Sequence, residues 1–371
     1  MSEYQYYEFQ AIDRPLSKGE QATLRACSTR ARISASRFVN EYHWSGLKAD
    51  PMKWMTEYFD AHVYLSNFGS SSFHLRFPLA LLTTETTRDY EEGGTLETRT
   101  TPTHLILSFL SEEESGENYR DDDGEGVLGS LLPIREALSS GDLRALYLAW
   151  LLAVQQGRLE AETLEPPVPV GLASLSGSLE ALAQFLQLDP DLIAVAARNS
   201  LPAAPDEPSA MDAQAWLATR TPKQKDAWLL RFLTQKHSPA LLEFKRVFRC
   251  ASQPATPPNT PRRSADELLA ASVELARLHS DAEAQHAAAK RLQYLQSLAG
   301  NEANIWKAIV ALTNSSTASY YDSVVQQLLD LRDIAKLNDE AKSFARQLAE
   351  FRDLRRRRSS LIARLDQAGL T

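Results

Sequence analysis

Only two cysteines, Cys27 and Cys250, occur in the 371 residues, and they stand far apart in the chain. No CxxC pair exists, which excludes the standard cysteine-based zinc sites and leaves two unrelated thiols in a reducing compartment as the expectation. Long apolar runs are equally scarce. The strongest is "ALYLAWLLAV" at 145–154; it falls well short of the about 20 residues a membrane span needs and reads as a buried helix. The opening "MSEYQYYEFQAIDRPL" lacks a basic segment followed by an apolar one, so a cytoplasmic protein is expected. Phosphate-binding glycine patterns are missing, and Gly93-Gly94 sits in an acidic loop with no helix after it. "LSGSLE" is not a G-x-S-x-G elbow; Ser176-Gly177-Ser178 reads as a loop and helix cap. No cofactor follows from any of these patterns.

What is present is an ordinary globular balance, 43% hydrophobic and 24% charged, with enough apolar residues for a sizeable core. The net charge of −8 argues against wholesale coating of nucleic acid and leaves room for a local basic patch.

Residues 1–110 predict an α+β domain. "YQYYEFQAI", "SRFVNEYHW", "AHVYLSNF", "SFHLRFPLAL" and "THLILSFL" are aromatic and β-favouring, as strands require. Ser17 with Glu20 makes a capping box, and Asp50 precedes Pro51 at a favoured first helical position. The order β-α-β-α-β-β-(loop)-β implies a mostly antiparallel sheet with helices on one face. Residues 111–126 carry eight acids against one arginine and read as a solvated linker. A helical domain is expected over 127–250, a proline-rich linker over 251–263, and a region of helical hairpins or a bundle over 264–371. In the last region Ile334, Leu337, Ala341, Phe344, Leu348 and Phe351 step by three and four, a heptad-like seam under three heptads long that reads as a helical hairpin rather than an extended coiled coil. Continued, that stepping puts Arg355 and Arg358 on the seam.

The segments "YYEFQAIDRPL", "FVNEYHW", "YFDAH", "LEPPVPVGL", "QFLQLDPDLIAVAA", "LLDLRDIA" and "LIARLDQAGL" resemble, from end to end, an uncharacterised family of bacterial proteins. The resemblance implies a bacterial protein and brings no activity, ligand or assigned site. It also implies a partner, the SWIM zinc-finger proteins encoded beside members of that family.

Two groups of residues carry chemistry. In a strand, residues two apart share a face, so Glu41 points with His43 and Asp60 with His62. Were the two strands neighbours in register, two carboxylates and two imidazoles would converge, a set suited to a divalent metal or to acid–base work. The plain alternative is a pair of wet strand faces. The second group is the run Arg355, Arg356, Arg357 and Arg358. On a continuous helix these four would cover every side of one turn, available to phosphates, to an acidic protein surface, or simply to water at a helix end. By elimination the expected function is a protein-interaction scaffold or adaptor subunit without its own catalysis. The alternatives are a metal-dependent or acid–base enzyme using Glu41, His43, Asp60 and His62, and a nucleic-acid-associated subunit using the arginine run.

Overall fold

A computed structural model describes residues 4–112, 124–202, 210–234, 239–252, 261–314 and 320–371. Most of the expected acidic linker and of the proline-rich linker lies outside these residues. The fold is α+β: an N-terminal antiparallel sheet followed by a mostly helical remainder. The described residues divide into two compact units, 1–276 and 277–371.

Seven strands form the sheet: β1 (Tyr4–Gln10), β2 (Arg32–Ile33), β3 (Arg37–His43), β4 (Ala61–Ser66), β5 (Ser70–Pro78), β6 (Leu96–Thr100) and β7 (His104–Glu112). Their order is β2-β3-β1-β4-β5-β7-β6, and every neighbouring pair is antiparallel. Both helices expected between the first strands form where their caps lie. In α1 (Lys18–Cys27) Ser17 accepts from the Glu20 N–H while Glu20 accepts from the Ser17 N–H, the reciprocal capping box. In α2 (Pro51–Glu57) Asp50 accepts from the Met52 N–H at 2.8 Å. Both helices cover one side of the sheet, which we call its outer face. There Leu24, Trp54 and Met55 pack on Phe9, Phe38 and Ile106.

The inner face carries the larger core. A short turn of helix, α3 (Thr84–Thr87), lies between β5 and β6 in the chain. After β7 come α4 (Val127–Leu131), α5 (Pro133–Ser139), α6 (Arg144–Gln155), α7 (Gly177–Phe185) and α8 (Pro190–Ala197). Their apolar sides join Val63, Leu65, Phe73, Leu75, Leu107 and Phe109 in one cluster. At its centre is α6, whose residues from Arg144 to Val154 are all buried, because a helix apolar on every side must be surrounded. Gly124 enters this core with φ +79°, and a Cβ there would fall 2.6 Å from the Tyr6 ring. Only glycine fits both that backbone and that contact. Among the described residues, no single helix is long and apolar enough to cross a membrane.

Three further helices of the first unit, α9 (Ala210–Ala218), α10 (Pro222–Thr234) and α11 (Pro239–Ser252), share an aromatic cluster. Trp216 meets Phe244 and Phe248 edge-on at 5.2 and 5.1 Å, and Trp228 meets Phe244 at 5.4 Å. Then α12 (Ala265–Leu298) begins, and the division between units falls within it. Its start is anchored by a buried carboxylate. Glu165 accepts from Arg263 through both oxygens, at 3.0 and 2.9 Å, and from the Tyr147 hydroxyl at 3.0 Å.

The second unit adds α13 (Glu302–Asn314), α14 (Tyr321–Leu337), α15 (Ala341–Leu354) and α16 (Ser359–Gln367) around Val324, Leu328, Phe344, Phe351 and Leu361. The seam across 334–351 spans two helices, as its short run suggests. It passes through a turn at Asn338–Glu340, where Asp339 takes φ +57°, and the two arms pack as a hairpin.

Candidate functional site

The four residues singled out on the strands are not brought together. β1 lies between β3 and β4; Tyr4 opposes His43 on one side, and Phe9 opposes His62 on the other. Five residues along β1 and two strand spacings separate the histidines, on the order of 20 Å. Register also places them on opposite faces. Tyr6 pairs with both Glu41 and Leu65, so Glu41 and His43 share the inner side with Leu65, while His62 and Asp60 share the outer side with Phe9. Glu41 and His43 are exposed near the margin: Glu41 is 3.7 Å from Arg32, and the His43 ring lies 5.3 Å from that of Tyr4. The convergent carboxylate–histidine site therefore does not form. Among the described residues, no group of three or more His, Cys, Asp or Glu side chains gathers where a metal ion could be held.

Asp60 has a different occupation. It is fully buried beside Arg76, which donates from Nε and Nη2 to Oδ1 at 3.0 and 2.6 Å. Its Oδ2 accepts from the Ile12 and Asp13 N–H groups at 2.6 and 2.9 Å. Arg76 also donates to the Met55 and Thr56 carbonyls near the end of α2, where a cation complements the helix dipole. Each charge is thus saturated by hydrogen bonds, the condition for keeping an ion pair inside a protein.

His62 belongs to a row that crosses the outer face. Phe9, His62, His74, Ser108 and Glu97 stand opposite one another on β1, β4, β5, β7 and β6. The His62 ring stacks on Phe9 at 3.7 Å and on His74 at 5.3 Å, within 8° of parallel. Its Nδ1 lies 2.9 Å from the Glu8 carbonyl, which can only accept, so the proton of the neutral ring sits on Nδ1. His74 lies 2.8 Å from Ser108 Oγ through Nδ1 and 2.8 Å from Ser72 Oγ through Nε2. Burial pushes the His74 pKa down to about 4. Burial also drives that of His62 well below its ordinary value, with the neighbouring His74 adding to the effect. Both rings are neutral near pH 7.

Beside this row opens a cleft of about 600 Å³ lined by Met52, His74, Glu97, Arg99, Ser108 and Leu110. A serine hydroxyl on a neutral imidazole has the elements of a nucleophile and a base. Here the second ring nitrogen meets Ser72 where a carboxylate would orient the ring, and the backbone N–H groups of β5 and β7 serve the ladder. The row is built as a satisfied polar seam. His74 went unnoticed in the sequence, although "SFHLRF" carried a signal. Period two sets His74 with Ser72 and Arg76, against Phe73, Leu75 and Phe77.

The arginine run is likewise rearranged. α15 ends at Leu354, and Arg355 to Arg358 form the connection to α16. Arg355 donates to Thr313 Oγ1 at 3.1 Å with its guanidinium over the Phe351 ring, and Arg358 donates to the Tyr321 hydroxyl at 3.1 Å. Arg356 and Arg357 are exposed, and Arg356 lies 3.7 Å from Asp353. Two arginines are turned inward to tie helices together, and two face water.

Comparison of the chain with protein-family models, with curated proteins and with solved structures returned no match.

Proposed function

We propose that the protein is an interaction scaffold or adaptor that binds a protein partner through the outer side of α10. The observation that carries this reading is a row of leucines. Trp228 and Phe232 of α10 turn toward Phe244 of α11. Leu229, Leu230 and Leu233, spaced to share one helical side, are 58%, 62% and 85% exposed. Leu241 adds a further half-exposed apolar side chain on α11. Contiguous exposed apolar surface on a helix is what helix-in-groove recognition uses. The resemblance described above makes a SWIM zinc-finger protein the first partner to try.

The test is a tagged pull-down from the native host, with Leu230→Lys/Leu233→Lys run in parallel. A stoichiometric partner lost from the double variant, at unchanged circular dichroism, supports the reading. A protein that stays alone, or a partner held equally by the variant, rejects it. The nucleic-acid alternative has less to work with than the sequence suggested: two solvent-facing arginines, and so a salt dependence about half as steep as four phosphate contacts would give.

A further inference from the structure

Among the described residues β6 is the last strand of the sheet, with no strand on its outer edge. Its partner there is β7, with Glu97 opposite Ser108 and Arg99 opposite Ile106. The ladder continues past both ends: the Leu110 N–H donates to the Thr95 carbonyl at 2.8 Å, and the Thr101 N–H to the His104 carbonyl at 2.8 Å. These bonds fix the phase. Odd-numbered residues of β6 turn their N–H and C=O toward β7, and even-numbered residues turn theirs away from the sheet. The outward backbone groups of Thr98 and Thr100 have no partner among the described residues. Glu97 and Arg99 flank Thr98, both on the outer face and both exposed. Neither makes an ion pair or side-chain hydrogen bond among the described residues.

Charges on an edge strand ordinarily block pairing with another chain. Here the two signs stand on either side of Thr98, and that reverses the argument for one register. Two copies of β6 meeting antiparallel about a two-fold axis must match outward-facing residues with outward-facing residues. An axis at Glu97 sets that carboxylate against its own copy, and an axis at Arg99 does the same with two guanidinium groups. An axis at Thr98 sets Glu97 opposite Arg99 of the second copy, twice. Those pairs fall at non-hydrogen-bonded positions, where facing side chains come closest. The Thr98 backbones then bond to each other, with Leu96 opposite Thr100 on either side.

We propose that β6 is a self-complementary edge through which two copies of the chain associate, antiparallel and centred on Thr98, so that the sheet continues across the two-fold axis. The occupant is a second copy because the charge order of one strand is the complement of the same strand reversed. This inference stands apart from the α10 surface and survives its failure.

Sedimentation velocity from about 1 to about 100 µM tests it. The expected result is a sedimenting mass that rises to twice that of the chain and falls back in high salt, because the ion pairs are exposed. Thr98→Pro removes an N–H that the β7 ladder does not use, a place where an edge strand tolerates proline. That variant is expected to stay monomeric with unchanged circular dichroism. Glu97→Arg and Arg99→Glu serve independently of how proline is tolerated. Each alone is expected to weaken association at least tenfold, and mixing the two variants one to one should restore it. A wild type that is monomeric throughout the range overturns the proposal, as does a dimer indifferent to Glu97→Arg or a mixture that fails to recover.

Discussion

His62 and His74 stand directly opposite each other on β4 and β5, their rings stacked 5.3 Å apart and both buried. Among the described residues, no carboxylate raises the pKa of either ring. The His74 pKa of about 4 lies below its ordinary 6.5, so the unfolded chain binds more protons between those values. Stability is therefore complete above about pH 6.5 and is lost as the pH falls toward 4, by roughly 3 kcal/mol from His74 alone. Urea denaturation of wild type and His74→Gln at pH 7.5 and pH 4.5 checks this. The wild type should lose distinctly more stability than the variant over that interval, and parallel losses would contradict it.

Asp60→Ala would leave the Arg76 guanidinium buried without its counter-charge. The expected cost is about 3–5 kcal/mol. Glu41→Ala, which removes only an exposed 3.7 Å contact with Arg32, should cost less than about 1 kcal/mol. Equilibrium denaturation of the two variants side by side provides the comparison, and similar values for both would refute the assignment.

Gly124→Ala and Gly126→Ala separate strain from collision. Both residues have positive φ, +79° and +86°, but a Cβ at Gly126 meets nothing within 4 Å. The backbone cost of about 1 kcal/mol applies to each, and the Tyr6 ring adds to it only at Gly124. Thermal melts should place Gly124→Ala clearly below Gly126→Ala.

The arginine turn makes a similar division. Arg356→Gln/Arg357→Gln should leave the melting temperature where it is, since the side chains face water. Arg355→Ala/Arg358→Ala removes the bonds to Thr313 and Tyr321 and should lower it, through about 1 kcal/mol or more for each bond lost. Equal melting temperatures for the two double variants would show that the inward pair ties nothing together.

Local signals were the legible ones. Ser17 with Glu20 and Asp50 before Pro51 each cap the helix expected of them, because capping is settled within four residues. Period two also sorted the faces within each strand, Glu41 with His43 and Asp60 with His62. Which strands would be neighbours was not legible. β1 inserts between β3 and β4 through contacts distant in sequence, and that one placement sends the two histidines to opposite faces. β6 escaped notice because "LETRT" has a single buried residue, Leu96, and so no apolar alternation to read. The seam over 334–351 was legible as a hairpin because it is too short for a coiled coil, but the place of its turn was not, because the stepping runs on through the left-handed Asp339.

From Arg277 to Lys290 every residue of α12 is exposed, and no apolar stripe ties this stretch to a core. Its helical form rests on alanine-rich propensity and on local pairs such as Arg277 with Asp281 at 3.0 Å. A stretch of this length is marginal as an isolated helix in water. It should therefore be among the first described helices to exchange its amide hydrogens with solvent. Over that stretch the persistence of the helix follows temperature and salt much as that of a free peptide does.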